Sequence, residues 1–135
     1  MSEKKDYSLL SGLTLAYVGD AIYEIYIRDF LIRSGQTKPN QMHRMATQYV
    51  SAKAQHYLIE EMIKENILTE NEITVYKRGR NAKSHTSAKN TSVFVYRAST
   101  GFEALMGYLH LTDQKERLEE LIKWSIKRIG EKNEK

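Results

Sequence analysis

Apolar residues recur at helical spacing from the first quarter of the chain onward. This pattern predicts a helix over residues 12–33, with Ser11 as its N-terminal cap. Pro39 suits the first turn of a second helical stretch, because its missing N–H costs little there. We expect that stretch to divide into two helices at Val50-Ser51.

The second half of the chain continues this pattern, with one interruption. Thr69-Glu70-Asn71-Glu72 has the form of a capping box, which predicts a further helix. Residues 77–90 are polar and predict an exposed loop, after which helix returns over about 92–110. Asp113-Gln114-Lys115-Glu116 then predicts the start of a last helix that ends near Gly130. The chain is therefore predicted to be one all-α domain of about six to seven helices over residues 1–135, with an ordered core of about 8–130.

Composition narrows the class of protein. The chain has 135 residues, 41% of them hydrophobic and 28% charged, a balance typical of a globular protein rather than a disordered one. It has no cysteine, which excludes disulfides, thiolate metal sites and cysteine nucleophiles. Neither a signal peptide nor a membrane-spanning run is present in the pattern, so we expect a cytoplasmic protein. The net charge of +4 favours a polyanionic partner.

The first predicted helix carries an acidic residue in an apolar setting. It is apolar nearly all round, which is typical of a buried helix, yet Asp20 lies near its centre. A buried carboxylate is costly unless it is paired or bound to a metal ion. Glu24 lies one helical turn from Asp20, where like charges repel. We therefore expect a cationic partner at this position.

A second carboxylate, Glu103, interrupts another apolar helix. Gly101 and Gly107 on either side of it indicate close approach of another backbone. If the two helices pack together, Asp20 and Glu103 could converge as hard oxygen ligands that suit Mg²⁺ or Mn²⁺. A metal ion held this way can activate water and neutralise charge on a phosphodiester. Spacing alone leaves an alternative open, in which Asp20 bonds a helix N-terminus or an arginine and Glu103 is half exposed.

The predicted loop is strongly basic. Between Lys77 and Lys89 it contains five Lys or Arg residues, one His and no acid. Such side chains contact phosphates, although a merely solvated loop is the alternative. The candidate nucleic-acid-binding residues are Arg78, Arg80, Asn81, Lys83, His85 and Lys89.

Two segments together resemble the ribonuclease III family. Ala16-Tyr17-Val18-Gly19-Asp20-Ala21-Ile22 resembles its signature helix, Phe/Tyr-Leu-Gly-Asp-Ala/Ser-Val-Leu. Phe102-Glu103-Ala104-Leu105-Met106-Gly107-Tyr108-Leu109 resembles its second motif, Phe-Glu-Ala-Leu-Ile-Gly-x-x-Tyr-Leu. The resemblance implies the helical ribonuclease III endonuclease fold, with Asp20 and Glu103 as the catalytic metal ligands.

Three positions depart from the ordinary family pattern. Leu13, Ala16 and Thr100 stand where that pattern has further carboxylates. The predicted metal site is therefore leaner, and more coordination positions are left to water or RNA phosphate. We consider Glu24 and Thr100 as outer-shell candidates at this site.

The chain ends just after the predicted catalytic unit, so we expect no double-stranded-RNA-binding domain. In this it is similar to the bacterial Mini-ribonuclease III subfamily. The resemblance implies a homodimer that cuts a double-stranded stem in the precursor of the large-subunit (23S) ribosomal RNA. A large-subunit ribosomal protein is a candidate partner, and no membrane partner is expected.

Two other function classes are alternatives. One is a non-catalytic helical RNA-binding module derived from the same fold, which the missing carboxylates favour. The other is a basic helical protein-interaction domain, which accounts for neither Asp20 nor Glu103. Metal-dependent cleavage separates the nuclease from both alternatives.

Overall fold

Six α-helices make up almost all of the described part of the chain. The computed structural model describes residues 6–83 and 92–134, and within these ranges there is no strand. A short 3₁₀ turn at Tyr7–Leu9 precedes the first helix. The helices are α1 (Gly12–Arg33), α2 (Pro39–Val50), α3 (Ala52–Lys64), α4 (Glu70–Arg80), α5 (Val93–Leu111) and α6 (Lys115–Asn133). The all-α prediction is confirmed.

Side-chain caps account for the starts of α1 and α4. The Ser11 hydroxyl accepts a hydrogen bond from the Thr14 backbone N–H at 3.2 Å, and α1 begins at Gly12, directly after Ser11. At Thr69 both bonds of the capping box form, since its hydroxyl accepts from the Glu72 N–H while Glu72 accepts from the Thr69 N–H. These local bonds satisfy N–H groups that the helix itself leaves unpaired. The predicted starts of α1 and α4 are therefore confirmed.

The predicted loop over residues 77–90 begins too early. Helix α4 continues to Arg80, so Lys77, Arg78 and Arg80 belong to its last turn. Positive side chains are favourable at a helix C-terminus, and Gly79 is held in the helix by close contact with α5. Residues 84–91, with His85 and Lys89, lie outside the described residues.

The predicted cap of the last helix is also wrong. Asp113 adopts a left-handed backbone conformation, with φ of 59°, and lies outside α6. Gln114 immediately precedes the helix and makes no side-chain capping bond. The helix extends past Gly130 to Asn133, so Gly130 lies inside it and does not end it.

Helix α5 lies at the centre of the fold, packed against α1, α3 and α4. The Phe102 ring meets the Tyr23 ring of α1 edge to face, with 4.9 Å between the ring centroids. Both residues are fully buried. Among the described residues, no helix is apolar over a length that could cross a bilayer.

A buried ion pair joins α4 to α6. Glu72 is buried, and its carboxylate accepts two hydrogen bonds from Arg117, each 2.8 Å long. Burial alone would raise the pKa of Glu72, but the bonds from Arg117 and Thr69 outweigh it and hold the pKa below 4.5. The ionised form of Glu72 therefore stabilises the folded state.

We expect Arg117→Met to lower the free energy of unfolding by about 3 kcal/mol at pH 7, because it leaves Glu72 buried without its charged partner. The contribution of Glu72 is present above pH 4.5 and is lost as the pH falls through its lower folded pKa. The deficit of the variant should therefore shrink at pH 3, measured by urea denaturation. Arg33→Met, which breaks an exposed pair with Asp29, is the control and should change stability little. An equal deficit at both pH values would contradict this account.

Candidate active site

Helices α1 and α5 touch backbone to backbone. A Cβ added to Gly19 would lie 1.7 Å from the carbonyl oxygen of Glu103, and one added to Gly107 would lie 1.9 Å from the carbonyl oxygen of Leu15. Any larger residue would separate the helices at this crossing. The predicted close approach at Gly107 is confirmed, and Gly101 likewise packs directly on Tyr76 of α4.

This crossing brings the two predicted carboxylates together. Asp20 follows Gly19 in α1, and Glu103 is the α5 residue whose carbonyl lies against Gly19. A hydrogen bond to Asp20 contributes to the raised pKa of the Glu103 carboxyl, so the two carboxyl groups lie close together. Among the described residues, no hydrogen bond or ion pair joins Asp20 to an arginine or a helix N-terminus, but Glu103 is half exposed, as that alternative expected.

The expectation that Asp20 is buried is wrong. Helix α1 buries one face, formed by residues such as Leu15, Tyr23 and Ile27, and Asp20 lies on its exposed side. Glu103 is half-buried. The site is therefore a carboxylate pair at the surface, open to solvent on the Asp20 side, and accessible to a large substrate.

The surroundings of Glu103 disfavour its charged form. Burial, together with a hydrogen bond to Asp20 and the nearby charge of Asp20, raises the pKa of the Glu103 carboxyl to about 9, although a bond from Gln55 opposes the shift. Two carboxyl groups in contact need a shared proton or a cation between them. A divalent cation would satisfy both groups, so the donor set fits a hard metal ion.

Asp20 and Glu103 together offer only a small number of protein ligands for a metal ion. Within residues 6–83 and 92–134 no group of three or more His, Asp or Glu side chains could hold a metal ion. Glu24 is bonded to Arg28 at 3.1 Å, and its charge adds to the rise in the pKa of Glu103. The Thr100 hydroxyl donates to the Tyr96 carbonyl oxygen of its own helix at 3.1 Å. Asp20 and Glu103 are thus the residues that would hold a metal ion.

The basic candidates have different surroundings. Arg78 is partly buried, and its guanidinium donates to the carbonyl oxygens of Ser8 and Leu10 at 2.7 and 3.1 Å. Arg78 therefore ties the N-terminal segment to α4, a structural role that the sequence did not reveal. Arg80 lies over the Tyr76 ring and donates to the Asn81 side chain, whereas Lys83 is exposed.

Sequence analysis missed Gln55. This residue of α3 is 2% exposed, and its Nε2 donates to Oε2 of Glu103 at 3.4 Å. The available signal was a polar residue on the apolar face of a helix, next to Ala54 and one turn before Ile59. Without the packing of α3 on α5, that signal does not identify the partner.

Comparisons with known proteins identify the family of this chain. The model of the ribonuclease III domain family matches residues 13–114, which include both carboxylates. Mini-ribonuclease 3 of Enterococcus faecalis is 70% identical over 131 residues, covering 97% of this chain and 99% of that protein. Mini-ribonuclease 3 of Streptococcus pneumoniae is 57% identical, covering 92% and 97%. The crystal structure of a protein from Fusobacterium nucleatum superposes with a TM-score of 0.79 at 31% identity, covering 92% of this chain and 98% of that one.

Proposed function

The chain belongs to the ribonuclease III domain family, and from that premise we propose that it is an endoribonuclease that cuts double-stranded RNA with a divalent metal ion at Asp20 and Glu103. The contact between these two carboxyl groups at the α1–α5 crossing carries the proposal. A pair of carboxyl groups that a divalent cation can bridge in place of a proton is what Mg²⁺-assisted phosphodiester hydrolysis uses.

The residues at this site would have different roles. Asp20 and Glu103 would hold Mg²⁺, with Mn²⁺ as a substitute, and the backbone contact at Gly19 keeps their separation constant. When bound, the cation supplies an activated water and stabilises charge that develops on the phosphate. The exposed position of Asp20 leaves room for an RNA backbone to approach.

The uncovered face of α1 supports a homodimer. Tyr17 is 82% exposed, and Ile25 and Ile32 are also largely exposed, so this helix presents to solvent a stripe of large hydrophobic side chains that the exposed Arg28 interrupts. A second copy of the chain would cover that stripe across a twofold axis. Such a dimer has two carboxylate pairs, which would cut one RNA strand each.

For the natural substrate, we propose a double-stranded stem in the precursor of 23S ribosomal RNA. This rests on the similarity to Mini-ribonuclease III and on the net charge of +4, which favours a polyanion. Duplex RNA is recognised mainly by shape, phosphates and 2′-hydroxyls, so the proposal requires no base-specific pocket. A large-subunit ribosomal protein is a candidate partner that presents this stem.

The proposal is tested by removing the metal ion. The purified protein is incubated with a long RNA duplex in Mg²⁺, beside a chelator control and a single-stranded RNA of the same sequence. We expect the duplex to be cut in Mg²⁺ and in neither of the two controls. Cutting of the duplex should return when Mg²⁺ is added back to the chelated sample. Binding without cutting would instead favour the non-catalytic RNA-binding module, whose support is the absence of carboxylates at Leu13, Ala16 and Thr100.

We expect an Arg80→Ala/Lys83→Ala double variant to bind duplex RNA more weakly and with a salt slope smaller by about 2, because each residue would neutralise about one phosphate. Arg78 is kept in this variant because it holds the N-terminal segment. Binding is measured in chelator over a series of salt concentrations. Lys123→Ala on α6 is the control. An unchanged slope in the double variant would remove Arg80 and Lys83 from the RNA-binding surface.

A further inference from the structure

Gln55 has an unusual position for an amide side chain. It lies on the buried face of α3, whose other buried residues are almost all apolar, and only 2% of it is exposed. Burial of an amide without a hydrogen bond is unfavourable. A glutamine at this position therefore indicates a specific partner.

That partner belongs to the carboxylate pair. The Gln55 Nε2 donates to Oε2 of Glu103 at 3.4 Å, and this bond crosses from α3 to α5. Asp20 approaches the same carboxyl group from α1. One side chain from α3 and one from α1 thus meet the carboxyl group of Glu103 on α5.

We propose that Gln55 is a positioning residue, which holds the Glu103 carboxylate in the orientation that faces Asp20 and so prepares the pair for a divalent cation. The inference rests on the proposed function. A carboxylate with one oxygen held by a buried donor has fewer accessible rotamers, so less order has to be gained when the cation binds. An amide can do this without adding a third negative charge.

A glutamate at position 55 could not fill this positioning role, because it would add a negative charge that the neutral amide does not carry. Asp20 and Glu103 together carry a charge that one divalent cation neutralises. A third carboxylate from α3 would repel Glu103 rather than donate to it. Gln55 thus supplies the orienting contact at no cost in charge.

The test replaces the amide by an apolar side chain of similar length, Gln55→Met. Affinity for Mn²⁺ is measured by calorimetry without RNA, and duplex cleavage is measured separately at saturating Mg²⁺. We expect Mn²⁺ affinity to fall roughly 10- to 100-fold and kcat to fall with little change in KM. The melting temperature should stay the same or rise, since a buried polar group is removed. Gln41→Met, at an exposed position of α2, is the control and should change none of these quantities.

The outcomes separate the two proposals. Unchanged Mn²⁺ affinity in folded Gln55→Met would overturn the positioning role, whatever the wild type does to RNA. A lower melting temperature with unchanged Mn²⁺ affinity would mean that Gln55 is purely structural. If Gln55→Met does not fold, Gln55→Leu is measured in the same way. A wild type that binds Mn²⁺ through Gln55-dependent contacts but never cuts RNA would refute the nuclease and leave the positioning role standing.

Discussion

A Gly19→Ala variant is expected to lose roughly 4 kcal/mol of folding free energy, or to fail to fold at all. The added Cβ would lie 1.7 Å from the Glu103 carbonyl oxygen and 2.6 Å from its carbonyl carbon. Both are backbone atoms in the central helix, so no flexible side chain can move aside. Relief requires α1 and α5 to separate, which also parts Asp20 from Glu103.

Urea denaturation followed by circular dichroism measures this loss. Gly130→Ala is the matched control, because Gly130 also lies within a helix but a Cβ there meets nothing within 4 Å. That variant should be stabilised by about 0.5–1 kcal/mol, since alanine favours helix more than glycine does. Wild-type stability in Gly19→Ala would show that the two backbones are not in contact.

The starts of α1 and α4 were predictable because their causes are local. Ser11 and Thr69 cap helices through bonds to residues three positions away, and such bonds can be read from the sequence. The end of α4 was not predictable in this way. Gly79 there indicates a loop by propensity, but contact with Ala104 of α5 keeps it helical. Tertiary packing therefore overrode a local preference.

The same distinction between local sequence and tertiary packing applies to the candidate site. The chemistry of two carboxylates in apolar helices predicted that Asp20 and Glu103 could meet. The exposure of Asp20 was predicted wrongly, because the apolar residues on its side of α1, such as Tyr17, are not covered within one chain. Gln55 was missed because its partner is on a helix far along the sequence. Sequence reasoning thus found the two candidate metal ligands but not the buried side chain that contacts one of them.

Asp20→Asn and Glu103→Gln are each expected to lower duplex cleavage in Mg²⁺ by roughly 10³-fold or more, because each removes one of the two charges that would hold the cation. Both substitutions keep the size of the side chain. Binding of duplex RNA in chelator should stay within about twofold of the wild type, since the basic residues are unchanged. Single-turnover cleavage and a gel-shift assay measure the two quantities.

Stability distinguishes a lost charge from a lost fold. The proximity of Asp20 and Glu103 disfavours ionisation of both carboxyl groups, so replacing one of them by an amide should leave the melting temperature unchanged or raise it. Asp29→Asn is the matched control, because this residue is on the same helix but pairs with Arg33 in solvent at 2.8 Å. It should cleave like the wild type. Cleavage at the wild-type rate by Asp20→Asn would mean that the carboxylate pair is not the metal site. A folded Asp20→Asn that binds RNA without cutting it would place the chemistry at this pair, because only the charge has changed.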